Sequence, residues 1–84
     1  MKEELLKEYQ LSKHAQEAVA LREIKLSWIN DTILGSDKFY SASDVEFHYH
    51  KRVGTKCLKV VVNPVYKKII TVYFDRTMNK RGCK

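Results

Sequence analysis

The feature that most constrains this chain is a change in hydrophobic period near residue 37. Before it, apolar residues recur at helical spacing; after it, they alternate. Leu5, Leu6 and Tyr9 predict a short first helix over about residues 2–10. Ser12 suits the N-cap of a second helix running to about Glu23, because a serine hydroxyl can accept from a free first-turn N–H. Leu11, Ala15, Ala18, Val19 and Leu21 fall on one side of that helix. A third helix, about 26–34, carries Leu26, Ile29, Ile33 and Leu34, and Gly35 suits its C′ position.

The alternating half reads as strands joined by turns. Val45, Phe47 and Tyr49 alternate with Glu46, His48 and His50. Arg52-Val53-Gly54-Thr55 predicts a hairpin turn into a second strand, about 56–63, with Leu58, Val60 and Val62 on one face. Asn63-Pro64-Val65-Tyr66 predicts another turn, since proline cannot donate to a ladder. A third strand, about 68–75, sets Ile70, Val72 and Phe74 against Ile69, Thr71 and Tyr73, and Lys38–Ser41 suits a fourth, edge strand. Helices followed by strands on short turns imply an α+β fold. The expectation is two or three N-terminal helices on one face of a three- or four-stranded antiparallel sheet. The other sheet face is then expected to expose Lys59, Thr71, Tyr73 and the histidine pair.

Eighty-four residues suffice for one domain and one core: helices over about 2–34, a sheet over 38–75 and a tail over 76–84. Charge divides along the same line. Residues 1–37 hold five Lys/Arg against seven Asp/Glu, whereas residues 38–84 hold eleven against three. A basic half of this kind suits a phosphate-rich partner or an acidic protein, and also suits plain solubility. The tail Arg76 to Lys84 holds four cations and no acid, and reads either as an arm along a nucleic-acid backbone or as a solvated terminus. The opening Met1-Lys2-Glu3-Glu4 lacks the apolar run of a secretory signal, and no run is long enough to span a bilayer. A cytoplasmic protein without membrane contact is expected, with Cys57 and Cys83 as free thiols.

Several side chains carry chemistry. His14 and Arg22 lie about 80° apart on a helical wheel and about 12 Å apart along the axis, within the arc of the apolar positions. Either they share an anion, or the arginine reaches solvent and the histidine packs. His48 and His50 sit on one strand face, about 7 Å apart. They suit a nucleic-acid surface or plain exposure; a zinc site would need Cys57 or His14 as well, and no second Cys/His cluster accompanies them. Thr71, Tyr73 and Lys59 share a face fit for phosphate oxygens, although threonine and tyrosine are also good strand formers. Lys51 and Arg76 add cations beside them. No Gly-rich phosphate loop, nucleophile elbow or carboxylate pair is present, so neither a cofactor nor a metal is expected.

Leu11-Ser12-Lys13-His14-Ala15, Arg22 eight residues after the histidine, Ile24, Val60-Val61-Val62 and Ile70-Thr71-Val72-Tyr73 together resemble a family of small bacterial domains of unknown function. That family is similar to the RelE/ParE-like toxins and the barnase–EndoU–colicin ribonuclease superfamily. The resemblance spans about residues 11–74. It implies a RelE-like fold, a metal-independent RNA-cleaving site at His14, Arg22, Thr71 and Tyr73, and toxin–antitoxin biology. Ala18 stands where the family often has a second arginine, and Glu23 where a glycine commonly precedes the isoleucine. The lost cation favours binding over cutting.

Two functions therefore stand as expectations. One is an endoribonuclease-like toxin domain, with Arg22 and Lys59 clamping phosphate and His48 or His50 as a second proton carrier. The other is a non-catalytic module that binds nucleic acid or an acidic antitoxin.

Overall fold

The computed structural model describes residues 9–75. The architecture is α+β, with two helices and a five-stranded mixed sheet. In chain order the elements are β1 (Gln10–Leu11), α1 (Lys13–Arg22), α2 (Leu26–Leu34), β2 (Lys38–Ser43), β3 (Glu46–Val53), β4 (Lys56–Asn63) and β5 (Lys68–Phe74). The sheet order is β1-β5-β4-β3-β2. Four strands form the expected antiparallel meander. The fifth corrects the expectation of a purely antiparallel sheet. Gln10 and Leu11 pair in parallel with Lys68 and Ile69, where a helix reaching residue 10 was predicted. The rest of that helix falls outside the described residues, as do Arg76, Cys83 and the basic tail.

Ser12 ties this corner together. Its backbone N–H donates to the Ile69 carbonyl at 3.0 Å. Its hydroxyl accepts from the Ala15 N–H at 3.1 Å, which caps α1, and donates to the Ile70 carbonyl at 2.9 Å. A cap of this type is worth about 1 kcal/mol. One residue thus starts the helix and docks it on β5.

The core lies between the helices and one sheet face. It comprises Ala15, Ile24, Ile29, Leu58, Val60, Val62, Ile69 and Val72. The inclusion of both Ile69 and Val72, three residues apart, requires a break in the alternation. Val61 pairs with Thr71 but Val62 pairs with Ile69, so Ile70 is an extra residue. That bulge turns Ile69 into the core, where strict alternation predicted it outside.

α1 buries less than its pattern predicts. Its inner positions are Ala15 and Ala18, with Val19 beside them, whereas Leu21 is 79% exposed. Two alanines present a narrow contact strip, so leucine one position further round points to water. The helix ends at Glu23, whose left-handed backbone (φ 52, ψ 45) is where glycine is favoured. Glu23→Gly is expected to raise stability by about 1 kcal/mol, because an L-residue is strained there. A urea midpoint equal to or below the parent's would refute this.

The turns behave as predicted. Gly54 closes the β3–β4 hairpin at φ 64. Asn63 Oδ1 accepts from the backbone N–H groups of Val65 and Tyr66. Cys57 is buried and disulfide-bonded, which corrects the expectation of a free thiol at that position. No helix among the described residues is long and apolar enough to cross a membrane.

Candidate functional site

The sheet face opposite the helices carries the chemistry. Register across β2, β3, β4 and β5 aligns two polar rows. One runs Tyr40–His48–Val61–Thr71, the other Lys38–His50–Lys59–Tyr73. Because side chains alternate along each strand, these rows share a face, and Glu46 and Arg52 extend it along β3.

The rows are knit by rings. Tyr40 lies over His48 with centroids 4.6 Å apart, and stacks on His50 at 5.9 Å and 22°. Lys59 Nζ sits 5.8 Å from the Tyr40 ring centroid and 5.6 Å from that of Tyr73, and donates to the Tyr40 hydroxyl at 3.4 Å. An ammonium between two phenol rings gains from both π faces.

Burial sets the charge states. Lys59 is 9% exposed and His50 only 2%, so the face is deeper than the predicted open surface. Burial works against charge on Lys59, but hydrogen bonding and attraction from Tyr73, then Tyr40, outweigh it. Its pKa lies above the ordinary lysine value, and it is charged at neutral pH. His50 goes the other way. Burial, then the Lys59 charge, hold it below its ordinary 6.5, and Asp75 only partly restores it. The His50 Nε2 to Asp75 Oδ2 distance is 3.9 Å. His48 Nε2 lies 3.0 Å from Glu46 Oε2. The Nδ1 atoms of both histidines are buried, with no hydrogen-bond partner among the described residues.

A histidine kept neutral in the fold binds fewer protons than it does unfolded, so stability falls with pH below about 6.5. Melting temperature is expected to drop between pH 7 and pH 5, and His50→Gln should flatten that slope. An unchanged slope in the variant would remove His50 as its source.

The predicted site residues divide between the two sides of the sheet. Thr71, Tyr73, Lys59, His48 and His50 come together. His14 and Arg22 are exposed on α1, which packs on the helix-bearing face through Ala15 beside Val72. They are not brought to Thr71 and Tyr73, which point the opposite way from Val72. Arg22 does lie on the wheel stripe of Ala15 and Ala18, but one turn further along α1, beyond the buried segment, and His14 lies at the edge of that stripe. Lys51 also lies on the helix-bearing side, where its Nζ donates to the Gly35 carbonyl at 3.0 Å and caps the end of α2. Arg76 lies outside the described residues. No group of three His, Cys, Asp or Glu that could hold a metal occurs among the described residues. Tyr40 is the member that sequence reasoning missed, although its alternation with Lys38 and Ala42 was the available signal.

The arrangement can hold an anion and stack a planar group. Tyr40 is 40% exposed, Lys38 and Arg52 are exposed beside it, and the Lys59 charge lies beneath. No family model matches the sequence, and no curated protein or solved structure is significantly similar to the chain.

Proposed function

We propose that the protein binds single-stranded RNA on the face of Tyr40, His48, Lys59 and Tyr73, as a RelE-like toxin-type domain that holds its ligand without cutting it. The observation that carries this reading is the charged Lys59 held between two phenol rings on a sheet face rimmed by cations. Bases stack on exposed aromatic rings, and phosphates take the lysine and arginine charges.

Cleavage needs a proton donor and acceptor within hydrogen-bond reach of the phosphodiester. His50, at 2% exposure, offers no such reach, and His14 lies across the sheet. His48, which is on the face and engaged with Glu46 at 3.0 Å, has no second histidine among the described residues to act as its partner on the ligand. Binding is therefore favoured over the metal-independent cleavage that the resemblance implies.

The test is the affinity for a labelled single-stranded RNA across a salt series. Each phosphate neutralised on a single strand contributes a slope of about −0.7 in log K against log salt, and a slope of about −2 is expected from three contacts. A flat dependence would defeat the reading. A second reading, an acidic antitoxin-type partner, is favoured by β2, whose six residues are all exposed and which, among the described residues, has a strand neighbour on one side only. An added strand there would leave the salt slope for RNA untouched.

A further inference from the structure

On the helix-bearing side, away from Lys59, a groove of 540 Å³ opens between the end of α1, the first turn of α2 and the β3–β4 hairpin. Its size falls within the range of small-molecule sites. Trp28 and Phe74 form its aromatic lining, edge to face, with centroids 6.4 Å apart at 61°. Arg22 and Lys56 supply cations, and Glu23 is the one acid among the described lining residues. Lys56 Nζ lies 5.1 Å from the Phe74 ring centroid, and Lys25 Nζ 5.7 Å from that of Trp28. Gly54 borders the groove at the hairpin, and a Cβ added there would meet no heavy atom within 4 Å.

Arg22 explains why the groove is more than a gap. It continues the stripe of Ala15, Ala18 and Val19 by one turn, to where the stripe runs off the sheet and into the groove. No hydrogen bond or ion pair to another described residue holds it. A basic residue in a last helical turn also complements the helix dipole. That role does not require a tryptophan, a phenylalanine and a second cation in the same lining.

We propose that this groove binds a flat aromatic ring carrying an anionic group, of the size of a nucleoside monophosphate. The ring lies against Trp28 and Phe74, and the anion sits between the Arg22 guanidinium, whose planar fork matches phosphate or carboxylate, and the Lys56 ammonium. Glu23 opposes the anion and weakens binding. The site is independent of the RNA-binding face, which lies on the other side of the sheet.

Trp28 is the sole tryptophan of the chain, so its fluorescence reports the groove directly. Titration of the full chain with 5′-AMP is expected to change that signal saturably, with a Kd of about 1 mM or tighter. Adenosine and inorganic phosphate, each carrying half of the chemistry, should bind at least about tenfold more weakly. Arg22→Gln and Lys56→Gln should each weaken AMP by about tenfold, and Glu23→Gln should tighten it. These three positions are exposed, so the variants keep the fold. Lys59→Met should leave AMP binding unchanged, which separates this site from the RNA face. Phenylacetate binding in place of AMP would assign the groove to aromatic carboxylates under the same chemistry. No saturable change with either probe up to about 10 mM, or unaltered affinity in Arg22→Gln, would overturn the proposal.

Discussion

Replacing Leu58 by alanine is expected to remove about 2–5 kcal/mol of stability. A domain of this length has only about 4–13 kcal/mol in total, so the variant should lose a large share of its stability. Leu58 is fully buried on β4, flanked in register by Lys51 and Phe74. β4 is the central strand, paired on both edges, and its neighbours cannot collapse into a void without disturbing two ladders. The control is Leu21→Ala. The same atoms are deleted from a side chain that faces water, and the change should lie within about 0.5 kcal/mol. Urea unfolding of both variants checks the contrast; similar midpoints for the two would refute the packing described.

Lys59→Met is expected to lower affinity for single-stranded RNA at least about tenfold and to flatten the salt slope by about one phosphate's worth. Stability should hold or rise, because a buried ammonium carries a desolvation cost that a thioether of similar length avoids. Opposite signs on binding and stability distinguish loss of a ligand contact from general damage. Lys38→Met, at the exposed rim, should cost several-fold less in affinity. If Lys59→Met binds RNA like the parent, the face around Tyr40 is not the RNA site.

The sequence was legible where a pattern repeats, and silent where one residue decides. Ser12, the run to Arg22, the segment 26–34 and the three long strands each carried several concordant signals, and each forms as an element. Leu34, expected on the buried stripe of its helix, is instead exposed, and Gly35 ends that helix without the left-handed backbone expected of it (φ −141). β1 is two residues long, too short to show any period, and pairs with a strand 58 positions away, as Gln10 and Lys68 show. The Ile70 bulge is invisible for a related reason, since one extra residue merely shifts the phase of the strand around it. A helical wheel gives the angle between His14 and Arg22 but not which side meets the sheet; Ala15 and Ala18, with little to bury, settled that. At the polar face, alternation grouped Lys59, Thr71, Tyr73 and the histidines correctly. Their depth was not legible, because contacts across strands, such as the Tyr40 ring over His48 and His50, are not encoded in alternation.

The pairing of β1 and α1 with β5 has a consequence for biosynthesis. The earliest described strand and the first helix have no surface to dock on until β5 has been made, because their partner lies at the far end of the fold. While the ribosome is still working, α1 can form locally through its serine cap but has nowhere to settle. Nascent chains that stop before Lys68 should therefore expose the apolar side of β4 rather than form a smaller native unit. Release of β5 should trigger closure of the described fold in a single event.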